Sequence, residues 1–486
     1  MAELHELTAL EQADLVRRRE VSPVELVEHY LQRIDAGNGA VGAYVTVTAD
    51  LAREQARDAE HAVGGAVRTG DGPDRDLPVL YGVPVAIKDL TMVAGVRCML
   101  GSAAFRDFVA PQDDHVVTLL VRRGGMPVLG KTNTPEFGTP CYTESAVAPP
   151  ARTPWDLTRN AGGSSGGPAA AVAAGLAPVA QGNDGGGSVR IPGSCCGLVG
   201  LKVSRGRISN GPIAGDVSGL AWHGPIARTV RDAAAMLDLM AVPMPGDPHW
   251  APPLPPGETF LGHAGREPGR LTIGRLATPV IAETSVDPEC LAAYEEASEL
   301  LAALGHEIVD ISPPFGLDAV PAFQRVWSVL ALLAPVEPDK EALLMPLTRW
   351  LRERGRAVSG SEYAAAVAAM QATTRRAITG WHDYDAILTP TLAQLPAPVG
   401  GLRNDADPAA DFDAQKAFTP FTSVYNVTGQ PAITLPLHWA APTPGAPELP
   451  VGVMLAGRPA GEAALLSLAA QVEAAAPGPR RHPPVW

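Results

Sequence analysis

Nine short, nearly continuous apolar runs constrain this chain more than any other feature. They are VPVAI (83–87), MPVLG (126–130), APVAQG (177–182), GLVGL (197–201), LTIG (271–274), EIVDI (307–311), DAILTP (385–390), AITLPL (432–437) and VGVMLA (451–456). A strand with one wet face alternates apolar and polar residues, whereas a run without alternation suits a strand buried on both faces. Between the runs lie segments of helical period, such as Arg228–Met240, which sets Val230, Ala233, Ala234 and Leu237 on one stripe. This alternation predicts an α/β fold around a mostly parallel or mixed sheet, with helices covering both faces.

The chain opens with helical signals. TALE (Thr8–Glu11) and SPVE (Ser22–Glu25) both read as capping boxes, the second with Pro23 at the first helical position. A charged segment, Ala52–Ala62, leads into a predicted Gly/Asp/Pro loop, Gly64–Pro78. The Pro-rich run Val242–Gly257 is the best linker candidate. Strands of the same character continue after it, so it is expected to be a loop within one domain.

Several function classes are disfavoured. A net charge of −14 argues against a nucleic-acid partner, which needs a basic face. The acidic, amphipathic start is no secretory signal, and apolar stretches such as Ala169–Ala180 are too short and broken to span a bilayer. The five cysteines (Cys98, Cys141, Cys195, Cys196 and Cys290) include no C-x-x-C pair, which suits reduced thiols in the cytoplasm. Scattered histidines offer no metal-ligand spacing, and no metal or other cofactor is expected.

Three glycine-rich motifs compete for the chemistry. GMPVLGKT (Gly125–Thr132) fits the phosphate-loop pattern letter for letter, but an apolar strand sits between its glycines and Pro135 follows where a helix should open. GGSSG (Gly162–Gly166) satisfies G-x-S-x-G, yet a polar loop precedes it instead of the strand a nucleophile elbow needs. GNDGGGSVRIP (Gly182–Pro192) leaves a strand and places three glycines before Ser188, with Pro192 expected to stop a helix there. Consecutive glycines beside a hydroxyl suit a loop that exposes N–H groups to an oxyanion, against the plainer reading of a tight structural turn.

A serine nucleophile needs a base, and no histidine stands near these motifs. Of the 38 basic residues only Lys88, Lys131, Lys202, Lys340 and Lys416 are lysines; arginine serves elsewhere. Unlike arginine, a buried lysine can lose its proton and act as a base. Lys88, Lys131 and Lys202 each follow an apolar strand, where α/β proteins place their sites, and spacing alone does not choose among them.

Together, GVPVAIKD (82–89), GKTNTPEF (130–137), GGSSGGPAAAVAAG (162–175), GNDGGGSVRIP and CGLVGLKVSRGRIS (196–209) resemble the amidase signature family. The resemblance extends to NVTGQPAITLP (426–436) and LPVGVMLAG (449–457), nearly the whole chain. It implies a single domain, 1–486: an N-terminal helical segment (1–62), a signature core (78–240) and a part (258–486) completing the sheet and pocket. It further implies that Ser188 is the nucleophile, that Ser164, held by a non-proline cis peptide, bridges to it, and that Lys88 is the base. The N–H groups of Gly185, Gly186, Gly187 and Ser188 would form the oxyanion hole, with Ser165, Asp184 and Arg190 supporting the loop.

The implied function is hydrolysis of a small-molecule amide through an acyl-enzyme, releasing a carboxylic acid and ammonia or an amine. GND and SRGR resemble the branch of cyclic nylon-oligomer hydrolases and their relatives. Alternatives are a glutamyl-tRNA amidotransferase A subunit, a phosphate-loop nucleotide binder on Gly125–Thr132, and a nitrilase-like enzyme using Cys195 or Cys196. The segment Phe315–Leu344 is the expected source of pocket walls, favouring a hydrophobic acyl or aryl group. A homodimer is left open. Gly185, which stands where the family pattern has Thr, Ser or Ile, raises the expectation of a wider acyl pocket.

Overall fold

The computed structural model describes residues 3–65, 77–213, 217–476 and 481–486. Both N-terminal capping boxes form. Thr8 and Ser22 accept from the N–H groups of Glu11 and Glu25, whose carboxylates return to the cap N–H, opening helices Ala9–Arg18 and Pro23–Val41. A third helix spans Ala49–Gly65. The expected loop at Gly64–Pro78 falls mostly on residues 66–76, outside the described residues.

The strands are β1 (Tyr44–Val47), β2 (Val85–Lys88), β3 (Val128–Thr132), β4 (Val179–Asp184), β5 (Val199–Lys202), β6 (Trp222–Ala227), β7 (Thr272–Arg275), β8 (Glu307–Asp310), β9 (Ala386–Pro390), β10 (Ala432–Ala440) and β11 (Leu449–Gly457). They form one mixed sheet in the order β1-β3-β2-β4-β6-β5-β10-β11-β9-β7-β8. All nine predicted runs are strands. The reading missed β1 and β6. β1 (Tyr44–Val47) is interrupted by Thr46 and buries only its first residue, and β6 carries Gly224 and Pro225 in mid-strand, so neither shows apolar continuity. Pro225 is tolerated because β5 pairs only with Ile226 and Ala227 of β6.

The continuous apolar character has its expected cause. On β2, Val85 and Ile87 join a core cluster with Met236, Leu237, Leu465 and Leu468 of the Val230–Met240 and Glu462–Ala475 helices. Ala86 points the other way, into a cluster with Val27 and Tyr30 and with Ala169–Ala173 of the Gly166–Ala173 helix. Successive side chains leave opposite faces of a strand, so both faces of this sheet are roofed by helices.

The Pro-rich run Val242–Gly257 is not a domain boundary. β5, before it in the chain, pairs with β10, after it, and Ala251 N–H is bonded to the Gly206 carbonyl. β2, β3 and β4 run parallel, which brings Lys88, Thr132 and Asp184 to one edge of the sheet. One local expectation fails here. Pro192 does not prevent a helix: Arg190–Cys196 is helical, with the N–H groups of Ile191 and Gly193 bonded to the carbonyls of Gly187 and Val189. Pro192 lies in the first turn, where a missing N–H costs nothing because that group has no partner within the helix.

Candidate active site

Lys88 ends β2 fully buried, and its Nζ meets three oxygens: Ser164 Oγ at 2.8 Å, Ser165 Oγ at 2.9 Å and Asn183 Oδ1 at 2.6 Å. Burial pulls its ammonium well below the usual lysine range, and the Asp184 charge only partly offsets this. The two serines come from the loop before the Gly166–Ala173 helix, where the Gly163–Ser164 peptide is cis. Thr143 anchors that loop by bonding to the Gly162 carbonyl and accepting the Gly166 N–H.

Gly185–Ser188 lead from β4 to the Arg190–Cys196 helix, and a buried ion pair shapes this loop. Arg190 Nε and Nη2 grip Asp184 Oδ2 and Oδ1, both at 2.9 Å. Asp184 also accepts the N–H groups of Gly187 (2.8 Å) and Val189 (3.1 Å), while Asn426 Nδ2 donates to its carbonyl and carboxylate. Burial alone would raise the Asp184 carboxyl. Arg190 outweighs it, with help from Lys202 and Asn426, and holds the carboxyl well below the carboxylate range.

This arrangement corrects one expected role. The Gly187 N–H is bonded to Asp184 and is not an open donor. Gly187 instead serves the bend: its φ is +132°, and a Cβ there would meet Thr422 Oγ1 at 2.4 Å. The N–H groups of Gly185, Gly186 and Ser188 have no protein partner among the described residues. Ser165 ties the two loops together, its N–H donating to the Ser188 carbonyl and its hydroxyl to the Asn183 carbonyl.

Ser164 and Ser188 face one cleft of about 300 Å³, lined also by Asn183, Gly185 and His223. The Phe315–Leu344 segment does supply walls. Its Val320–Leu330 helix brings in Trp327 and Leu330, and Phe323 stacks on Trp327 with ring centroids 5.4 Å apart. A second pocket opens from Ser188 past Phe323, Ile281, Phe412 and Lys416. The expected widening at Gly185 is not found. A Cβ on Gly185 would lie 3.3 Å from the Trp327 ring, so the indole occupies the space a side chain would take.

The competing motifs lose their chemistry. Lys131 and Thr132 lie inside β3 instead of opening a helix, and Lys131 is bonded at 3.0 Å to buried Asp89. Lys202 donates to the Val203 and Gln430 carbonyls. Cys195 and Cys196 are buried, and desolvation pushes both thiols up, Cys196 to about 12, so neither supplies a thiolate. Sequence spacing missed a group formed by Glu3, His5 and His29, whose ligand atoms lie within 4.8 Å of one another; none of them lines the cleft. It also missed Gln181, Asn183, His223 and Asn426. Only Asn183 left a trace, as an amide beside Asp184 at a strand end.

Residues 25–466 match the Amidase family model. A putative amidase of Synechocystis is 36% identical over 481 residues, covering 98% of this chain and 90% of that protein. The 6-aminohexanoate-cyclic-dimer hydrolase of Paenarthrobacter ureafaciens is 35% identical, covering 98% of this chain and 96% of the relative. A solved structure of a 6-aminohexanoate cyclic dimer hydrolase with substrate superposes with a TM-score of 0.89 at 32% identity, over 99% of this chain and all of that one.

Proposed function

The chain belongs to the amidase signature family of amide hydrolases, and from that membership we propose that it cleaves its substrate with Ser188 as nucleophile, Ser164 as proton bridge and neutral Lys88 as base. The hydrogen bonding around Lys88 Nζ is the observation that carries this reading. A neutral amine has two N–H donors and one lone pair. Asn183 Oδ1 is a carbonyl and only accepts. Ser165 spends its proton on the Asn183 carbonyl, so it too accepts from Lys88. The remaining neighbour is the Ser164 hydroxyl, left to donate into the lone pair. That leaves Ser164 Oγ free to take a proton from Ser188.

The chemistry then runs in two halves. Lys88 draws the proton of Ser164, Ser164 that of Ser188, and Ser188 Oγ attacks the amide carbon. The N–H groups of Gly185, Gly186 and Ser188 are the donors available for the oxyanion. The proton returns through Ser164 to the departing nitrogen, the amine leaves, and water releases the acid by the same relay. The apolar walls from Phe323, Trp327 and Phe412 favour an alkyl or aryl acyl group, in a small linear or cyclic amide like that named for the relative.

An amide and ester panel with Ser188→Ala as control tests the assignment. The variant is expected to lose about 10⁴-fold or more in kcat while keeping the wild-type Tm. Near-full amidase activity in that variant would overturn it.

A further inference from the structure

Ser164 returns the proton to the leaving nitrogen, so the amine portion of a substrate must lie in the half of the cleft that Ser164 faces. This step rests on the amidase reading. His223 lines the same cleft, on β6 directly opposite Asn183 of β4, whose Oδ1 meets Lys88 Nζ beside Ser164. Its imidazole is 8% exposed, yet the sheet has set its proton. Gln181 Oε1 accepts the Lys88 backbone N–H, which orients the carboxamide. Gln181 Nε2 then donates to the Gly182 carbonyl at 2.8 Å and to His223 Nδ1 at 2.9 Å. Since Nδ1 accepts, the proton of a neutral ring is on Nε2. Burial and the nearby Lys88 lower the imidazole to about 4, so the ring stays neutral near pH 7.

Nε2–H has no partner among the described residues. A cleft-lining donor that no protein group engages is open to a substrate acceptor, and it is left unpaired once a substrate without one shuts out water. We propose that His223 is a specificity-determining residue whose Nε2–H donates to a hydrogen-bond acceptor carried on the amine portion of the substrate. Asp114 narrows the class. It lines the same cleft, with Oδ2 bonded to the Met92 N–H. A carboxylate on the amine portion would be repelled by Asp114, whereas a neutral carboxamide offers an oxygen to His223 and N–H groups to Asp114. The amine portion is therefore one bearing a neutral carbonyl group, a carboxamide best of all.

Two substrates with one acyl group and amines of near-equal size test this: an N-acyl glycinamide and the matching N-isobutyl amide. The wild-type enzyme is expected to favour the glycinamide at least tenfold in kcat/KM, because the isostere leaves a buried donor unpaired. His223→Phe should cut that ratio about tenfold, mainly through KM, and His223→Gln should restore part of it. Equal wild-type kcat/KM for the two amides overturns the proposal. So does an equal fall in kcat on both substrates in His223→Phe, which would make the ring a mere prop for Gln181 and Lys88. Wild-type protein that cleaves neither these nor any amide of the wider panel overturns the amidase reading itself.

Discussion

At the scale of single residues, Asp184 and Lys88 are buried for opposite purposes. Asp184 stays charged because Arg190, Asn426 and two backbone N–H groups compensate its burial. Asp184→Asn would leave the Arg190 guanidinium without its charge partner and is expected to cost about 3–5 kcal/mol in urea unfolding, with activity lost. Lys88 has three neutral hydrogen-bonding neighbours and stays in reach of deprotonation. Lys88→Met should abolish turnover without lowering Tm, since it removes a buried amine and no ion pair. In the wild type, kcat/KM should rise with pH along an acid limb as Lys88 loses its proton. Burial places that limb well below the ordinary lysine range.

At the scale of elements, the β4–loop–helix unit carries the reaction, and two of its loop glycines do different work. Gly187 is needed for the backbone bend, and Gly187→Ala would drive a Cβ into Thr422. Gly185 is needed by a neighbour, because the Trp327 ring packs where its Cβ would be. Gly185→Thr, closer to the usual family loop, is expected to lower kcat/KM about tenfold. Trp327→Ala in the same chain should recover part of that loss, since contacting sites are not additive; a double variant no better than the single one would separate the two residues. The helix after Ser188 was lost to a rule about proline that holds in helix interiors and not in the first turn.

At the scale of the whole molecule, a sheet roofed on both faces buries titratable groups far from one another in the chain. His5 and His223 both have folded pKa values near 4, against 6.5 as free imidazoles, chiefly through burial. At these two sites the unfolded chain therefore binds more protons as pH falls from about 6.5 toward 4, and their contribution to stability falls with it. Tm measured from pH 7 to pH 4 carries this destabilising contribution across that window. His5→Asn should flatten the slope, and an unchanged slope would mean that the His5 ring is not held neutral. No described helix is long and apolar enough to cross a membrane.

The apolar runs alone located nine strands and the two-faced burial of β2–β5, β9 and β11, while β8 at the sheet edge keeps Glu307 and Asp310 exposed. They also determined that a lysine follows three of them. Interrupted strands such as β1 and β6 stayed invisible, since Thr46 in one and a mid-strand Gly-Pro in the other break apolar continuity. Spacing could not choose among Lys88, Lys131 and Lys202; the resemblance pointed to Lys88, and the contacts show how the three differ. Asp89 holds Lys131 and two carbonyls hold Lys202, while Lys88 meets two hydroxyls and an amide. Those partners lie up to 228 positions away in the chain. His223 was hidden likewise, 42 positions from Gln181, whereas the Gly187 N–H meets Asp184 three residues back and its use turned on how the loop bends. A proton's place and a donor's freedom depend on what folds beside them, and only the tertiary structure decides that.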